Sequence, residues 1–224
     1  TSFIKKYNRS TNYMYFLWPG VLATVLQQVL LLALALSFAT EYENGTFVDL
    51  TRRTSLFSMV AIKVIPYMIM SFGIWLLYYA LTFWFKIPVR ENLLNLTLVA
   101  GVFVTSVCFI GILVSILIPN QLKATEVLMV VATPSFILSG FTWPLSQMPV
   151  WVQNIAAGIP LTHFLKAFRI LLIERGTLEQ TWPAVRAMIW IAVVCGIASF
   201  IALHLKRRQA KKSLTADNDT AVEI

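Results

Sequence analysis

Five long apolar runs divide the chain: Phe16–Ala39, Val64–Phe85, Leu93–Ile118, Val127–Leu145 and Ala184–Leu205. Each is close to the roughly 20 residues that a helix needs to cross a hydrocarbon core about 30 Å thick. The runs are apolar on every side. A membrane β-barrel would alternate apolar and polar positions over about ten residues. Helices are the natural form for such runs, because a helix satisfies its own backbone groups in lipid. The fourth run is the least regular, interrupted by Pro134, Gly140 and Pro144. The pattern therefore predicts an all-α polytopic membrane protein with five spans. Residues 1–15 are the end of an extracytoplasmic region, 16–205 the transmembrane domain and 206–224 a basic, then polar, cytoplasmic tail.

Composition strengthens this reading. Apolar residues make up 58% of the 224 and charged residues 12%, with a mean hydropathy of +0.74; an ordinary soluble domain carries about 25% charged residues. So few charges do not build a water-facing surface. The net charge of +8 does not point to nucleic acid, because five of the positive charges sit in KRRQAKK, Lys206–Lys212, just after the last run. A basic cluster there favours a cytoplasmic C-terminus. The loop after the first span and the loop after the third then share that side. The 18 Lys and Arg divide nine to each side under this topology, so the orientation rests on the tail. Tyr13, Tyr15, Trp18, Trp84, Trp143, Trp151 and Trp182 gather near span ends, where headgroups suit their rings.

The first four runs contain no Asp, Glu, Lys, Arg or His, and the fifth has only Arg186 and His204, near its ends. Proton pumps and voltage sensors need ionisable groups within the membrane. Intramembrane hydrolysis needs an activated nucleophile or paired carboxylates. Neither is present, and no metal-ligand spacing occurs. Cys108 and Cys195 lie in apolar runs and read as small hydrophobes rather than a disulfide. None of the nine glycines precedes a lysine, so the phosphate-cradling G-x-x-x-x-G-K-[ST] loop is absent. Any uphill transport must draw its energy from another subunit. Among the polar residues in the spans, the adjacent amides Gln27 and Gln28 stand out as candidates to line a path. Gly111 and Ser115 form a small-xxx-small pair suited to a close helix contact.

Two segments are neither spans nor simple loops. Thr40–Lys63 mixes acids and bases with Phe47, Val48, Leu50, Leu56 and Phe57. It reads either as a short interfacial helix facing a partner or as a solvated helix extension. Within Ser146–Pro183, Leu161–Ile173 places His163, Lys166 and Arg169 on one side and Leu165, Phe168, Leu171 and Leu172 on the other. This stretch either dips into the outer membrane surface and returns or lies among the headgroups, with its basic stripe solvated or meeting anionic groups.

At these segments the sequence resembles the membrane permeases of ABC-2 type transporters. Glu41-Tyr-Glu43-Asn-Gly45-Thr46 is similar to the family's Glu-x-Glu-x-Gly-Thr stretch, and Lys63-Val-Ile-Pro66-Tyr67 to the opening of its next helix. Ser139-Gly140-Phe141 with Pro144, then Met148-Pro149, Trp151 and Gln153, resembles the signature after its fifth helix, and Pro160–Phe164, Arg169 and Gly176 extend the likeness. The resemblance runs from the second to the sixth helix of a six-helix fold and leaves out the first helix and external domain. It implies an exporter subunit with no cofactor of its own: ATP and Mg would belong to a separate ATP-binding subunit. Other expected partners are a second permease copy and the lipid bilayer, not nucleic acid. The implied place is the cell membrane, and the implied cargo drugs or other amphipathic compounds. Glu41, Glu43, Gly45, Thr46 and Asp49 would couple to the ATPase, with Glu41–Thr46 as the coupling helix. Ser139, Gly140, Phe141, Pro144, Met148, Pro149, Trp151, Pro160, His163 and Arg169 would belong to an outer re-entrant gate. An ATP-independent channel and a non-transporting assembly protein are the rival readings.

Overall fold

The computed structural model describes residues 13–84, 93–141, 143–174 and 176–222, and among them every regular element is helical. In chain order these are α1 (Tyr13–Glu43), α2 (Phe47–Arg53), α3 (Leu56–Trp84), α4 (Leu93–Leu117), α5 (Gln121–Ala132), α6 (Ser135–Leu138), α7 (Val150–Ala157), α8 (Pro160–Phe168) and α9 (Leu178–Val222). Five stretches are long and apolar enough to cross a membrane: Gly20–Glu43, Leu56–Leu81, Leu93–Leu117, Gln121–Leu138 and Leu178–Ala210. The protein is a polytopic, all-α membrane protein.

Several boundaries differ from the sequence expectation. The helix that carries the second span begins at Leu56 rather than Val64, so Leu56–Lys63 is its first two turns and not loop. Lys63 is accommodated because its ammonium reaches a carboxylate at the helix boundary. The fourth span starts earlier, at Gln121, where Asn120 caps α5 by accepting from Lys123 N at 2.9 Å. It ends at Leu138, before Gly140.

The core is built around α4, which packs on α1 and α9. Its Leu96, Val99, Phe103, Val107, Cys108, Ile112 and Ile116 are buried, as are Leu30, Leu34 and Phe38 of α1. Lipid supplies no hydrophobic force between helices, so close contact and hydrogen bonds must hold them together. Gly111 and Ser115 do this toward α1. A Cβ on Gly111 would lie 2.7 Å from Leu34 Cβ, so only glycine permits this approach. Ser115 Oγ accepts from Phe38 N at 2.8 Å and Ala39 N at 3.1 Å and donates to Ala35 O at 2.8 Å. On the opposite side Ser106 Oγ donates to Met188 O of α9 at 2.9 Å. The second span, α3, is mostly exposed along its length, with Ile62, Ile65, Ile69, Phe72, Leu76 and Phe83 facing outward. Trp84, Trp143, Trp151 and Trp182 are all exposed, as the placement of aromatic rings at span ends requires. The rings of Tyr13, Tyr15 and Trp18 lie outside the described side chains, as do those of the tail from 211 on.

Candidate functional site

Three hydrogen-bonded ties gather the ends of α1, α5 and α9 and the start of α3 around α2. These are the loops and tail that the sequence placed on one side. Thr40, Glu41 and Glu43 form the last turn of α1, and Gly45 ends the helix in the left-handed region at φ 69°. Glycine adopts that backbone at no steric cost, which is why helices so often stop there. The short helix begins only after Thr46. The short helix of this segment is therefore Phe47–Arg53, and Glu41 and Glu43 belong to the last turn of α1. Its apolar residue Phe47 turns inward and packs on Tyr42, ring centroids 4.4 Å apart. Asn44, Gly45, Thr46, Asp49, Arg52 and Arg53 face out.

The two acidic residues are engaged within the chain. Glu41 Oε1 accepts from Lys63 Nζ of α3 at 2.7 Å, and its other oxygen accepts from the Thr46 hydroxyl. Lys63 also lies 5.9 Å from the centre of the Phe38 ring. Glu43 Oε1 accepts from Gln121 N at 2.8 Å and Oε2 from Gln121 Nε2 at 2.7 Å. Its negative charge thus sits at the N-terminus of α5, where unpaired N–H groups and the helix dipole favour it. Sequence reasoning offered these carboxylates to a partner. It could not see Gln121, which lies 78 residues away.

The end of the fifth span, within α9, completes the site. Arg207 donates to Thr51 O of α2 at 2.9 Å, and Lys206 lies 5.7 Å from the Tyr42 ring centre. Neither Arg207 nor Lys206 was singled out from the sequence beyond its part in orientation. The only signal was their place in the basic run.

At the other end, α6, α7 and α8 build a hairpin over the bundle. Val150–Ala157 and Pro160–Leu172 are bent by 87°, the form of a broken span or a re-entrant loop. Pro160 at the first turn of α8 suits a helix start, where no N–H is needed. Gly140 is left-handed at φ 74°, and a Cβ there would lie 2.5 Å from Leu145 Cγ. Phe141 is buried and so close to the start of α1 that a Cβ on Gly20 would lie 2.6 Å from its ring. Phe164 of α8 stacks on Phe103 of α4 at 4.5 Å.

The amphipathic reading of Leu161–Ile173 holds for its apolar side: Leu165, Phe168 and Leu171 are buried. Its basic side is not a solvated stripe. Arg169 donates to Phe141 O at 3.2 Å and lies 5.5 Å from the Phe141 ring centre, and His163 Nε2 is 2.8 Å from Ala157 O. Only Lys166 of the three is fully exposed. Beyond α8 the chain widens into one π-helical turn, Arg169–Ile173, with Glu174 N donating to Arg169 O at 3.0 Å. Ser139 is buried, while Pro144, Pro149 and Trp151 are exposed and Met148 O accepts from Gln153 Nε2 at 2.9 Å.

Of the two amides, Gln27 is buried, 2% exposed, with Oε1 unpartnered, while Gln28 is half-exposed. Both cysteines are free, and among the described residues no group of His, Cys, Asp and Glu is arranged to hold a metal.

Comparison with known proteins agrees with this architecture. The chain is 25% identical over 202 residues to the probable multidrug ABC transporter permease YbhR of Escherichia coli (strain K12), covering 89% of this chain and 55% of the relative. It is 26% identical over 170 residues to the probable multidrug ABC transporter permease YbhS of the same organism, covering 75% and 45%. With ABC transporter G family member 20 of Dictyostelium discoideum it shares 24% over 216 residues, 92% of this chain and 29% of that protein. The chain thus spans about half the length of the bacterial relatives it matches. The ABC-2 type transporter family profile matches residues 2–173. On that match the chain belongs to the ABC-2 type transporter family.

Proposed function

We propose that the chain is the membrane permease part of an ATP-driven exporter, coupled to a separate ATP-binding subunit through α2. One observation carries this: α2 is a short helix at the end of the bundle, exposed along Asp49, Arg52 and Arg53, yet fixed to α9 through Thr51 and to α1 through Phe47. A rigid, braced helix passes on displacement; a free loop absorbs it. ATP and Mg bind in the partner, and this chain contributes no catalytic group. Two permease copies, identical or related, rock between inward- and outward-open states in the cell membrane. Gln28, half-exposed on α1, lines the path, and the α6–α8 hairpin gates the outer exit. The C-terminus is cytoplasmic, because Arg52, Arg53, Lys123, Arg207 and Arg208 share the α2 end. The names of the bacterial relatives, probable multidrug transporter permeases, favour drugs or other amphipathic cargo.

The test is co-purification with candidate ATP-binding subunits, scoring hydrolysis against a panel of cargoes. Capture of a subunit, lost on replacing Asp49, Arg52 and Arg53 together by Ala, and cargo-stimulated hydrolysis support the reading. Partners that co-purify without cargo-stimulated hydrolysis would make the protein an assembly factor instead.

A further inference from the structure

We propose that Glu41 and Glu43 are positioning residues, Glu41 a strut that carries movement of α2 into α3 and Glu43 an anchor that holds the end of α1 on α5, rather than contacts for the ATP-binding subunit. This rests on the coupling role proposed for α2 and assigns work to side chains behind the docking face. The joint between α1 and α2 is short and exposed, consisting of Asn44, Gly45 and Thr46, with nothing within 4 Å of where a Gly45 Cβ would be. Phe47 packs on Tyr42 across it, which holds α2 to α1; a push on α2 reaches a neighbouring span only through a further link.

Glu41 supplies that link. Thr46, which precedes α2, donates to one oxygen of Glu41, and the other oxygen holds Lys63 of α3 at 2.7 Å. The path from α2 to α3 is therefore two bonds through one carboxylate. Lys63 is only 22% exposed and Glu41 23%, so solvent screens this pair less than a surface pair. Glu43 fixes the end of α1 itself, its two oxygens taking the main-chain and side-chain N–H groups of Gln121, the first residue of α5, at 2.8 and 2.7 Å. Two donors from one residue fix direction as well as distance. Each of the four carboxylate oxygens already accepts from a donor in the chain. A partner's cation would have to compete with those donors, whereas Asp49, Arg52 and Arg53 stand exposed on α2 itself. The two acids reach different spans, so α2 pushes on α3 through Glu41 while Glu43 keeps the end of α1 seated on α5.

The experiment pairs distance measurement with coupled transport on the full chain in lipid nanodiscs and vesicles. Spin labels at Asp49→Cys with Lys123→Cys, and at Asp49→Cys with Ile62→Cys, report α2 against α5 and against α3, in a background with Cys108 and Cys195 replaced by Ala. Glu43→Ala should broaden the first distance distribution and Glu41→Ala the second. The swap Glu41→Lys with Lys63→Glu should restore the second, and Glu43→Gln should keep the first narrower than Glu43→Ala. With an ATP-binding subunit that the unaltered chain captures, both Ala variants should keep its affinity and ATP turnover. Export of a cationic amphipathic dye per ATP should fall roughly fivefold or more, recovering in the swap. A merely structural loss would lower turnover and transport together and would overturn the assignment. So would weakened capture with unchanged distance widths, which would make the acids docking contacts. If no subunit binds even the unaltered chain, the coupling role of α2 is what fails. The distance widths then decide the strut and the anchor by themselves, and widths that stay narrow in both Ala variants overturn them.

Discussion

Single atoms decide much of this molecule, because helices in lipid gain nothing from hiding apolar surface from one another. Ser115 spends one hydroxyl on two amides and a carbonyl of α1. Polar contacts between membrane helices average about 0.6 kcal/mol, with a maximum near 1.7. Ser115→Ala should therefore destabilise the bundle by about 1 kcal/mol, read as a lower unfolding midpoint in detergent. No change would mean that α1 satisfies those groups without it. The spacing of Gly111 and Ser115 was legible in the sequence, and the contact it forms agrees with it. The partner helix was not legible, because small residues four apart say only that something approaches closely. Gly140 is a second atom-scale constraint. Its backbone is left-handed at φ 74° and Leu145 fills the space beside it. Left-handed backbone costs a side-chain-bearing residue about 1–2 kcal/mol. Gly140→Leu should impair export more than assembly, with dimer yield near that of the unaltered chain and transport reduced. Normal export would remove the argument that this turn shapes the gate.

Among the elements, the spans were the most legible and the ends between them the least. A run of apolar residues fixes the existence of a membrane helix. Its boundary depends on where the last polar group finds a partner, and that partner is usually distant in sequence. Lys63 ended the predicted loop because it is charged; in the structure it sits eight residues into α3, since Glu41 meets it. The same blindness placed the short helix of this segment one turn early. Glu-x-Glu looks like a partner-facing helix, but Gly45 closes α1 immediately after it. The outer hairpin shows the converse. Its amphipathic face was visible, whereas the fate of its basic side depended on carbonyls at Phe141 and Ala157 that the turns bring near. The brace on α2 gives an element-scale prediction. Arg207→Ala removes the donor to Thr51 O, a hydrogen bond from a charged group at a partly buried site. Losing roughly 1 kcal/mol there should speed amide exchange across residues 47–53 about fivefold, with membrane insertion unaffected. Unchanged exchange would place the brace elsewhere.

At the scale of the whole molecule, composition and the apolar runs point to a polytopic membrane protein, and the family match agrees with that class. The two ends of the bundle differ: one gathers α2, the acids of α1, Lys63, Gln121 and Arg207, while the other carries a bent hairpin packed against α1 and α4. That polarity predicts sidedness. A cysteine introduced at Ser213 should react with an impermeant maleimide only from the cytoplasmic side, and reaction from outside in intact cells would invert the topology. The most direct measurement is flux of a cationic amphipathic dye across vesicles holding the purified chain, with and without an ATP-binding subunit and ATP. The account predicts export only when both are present, abolished by replacing the exposed residues of α2. Accumulation driven by an ion gradient across vesicles containing this chain alone would contradict it.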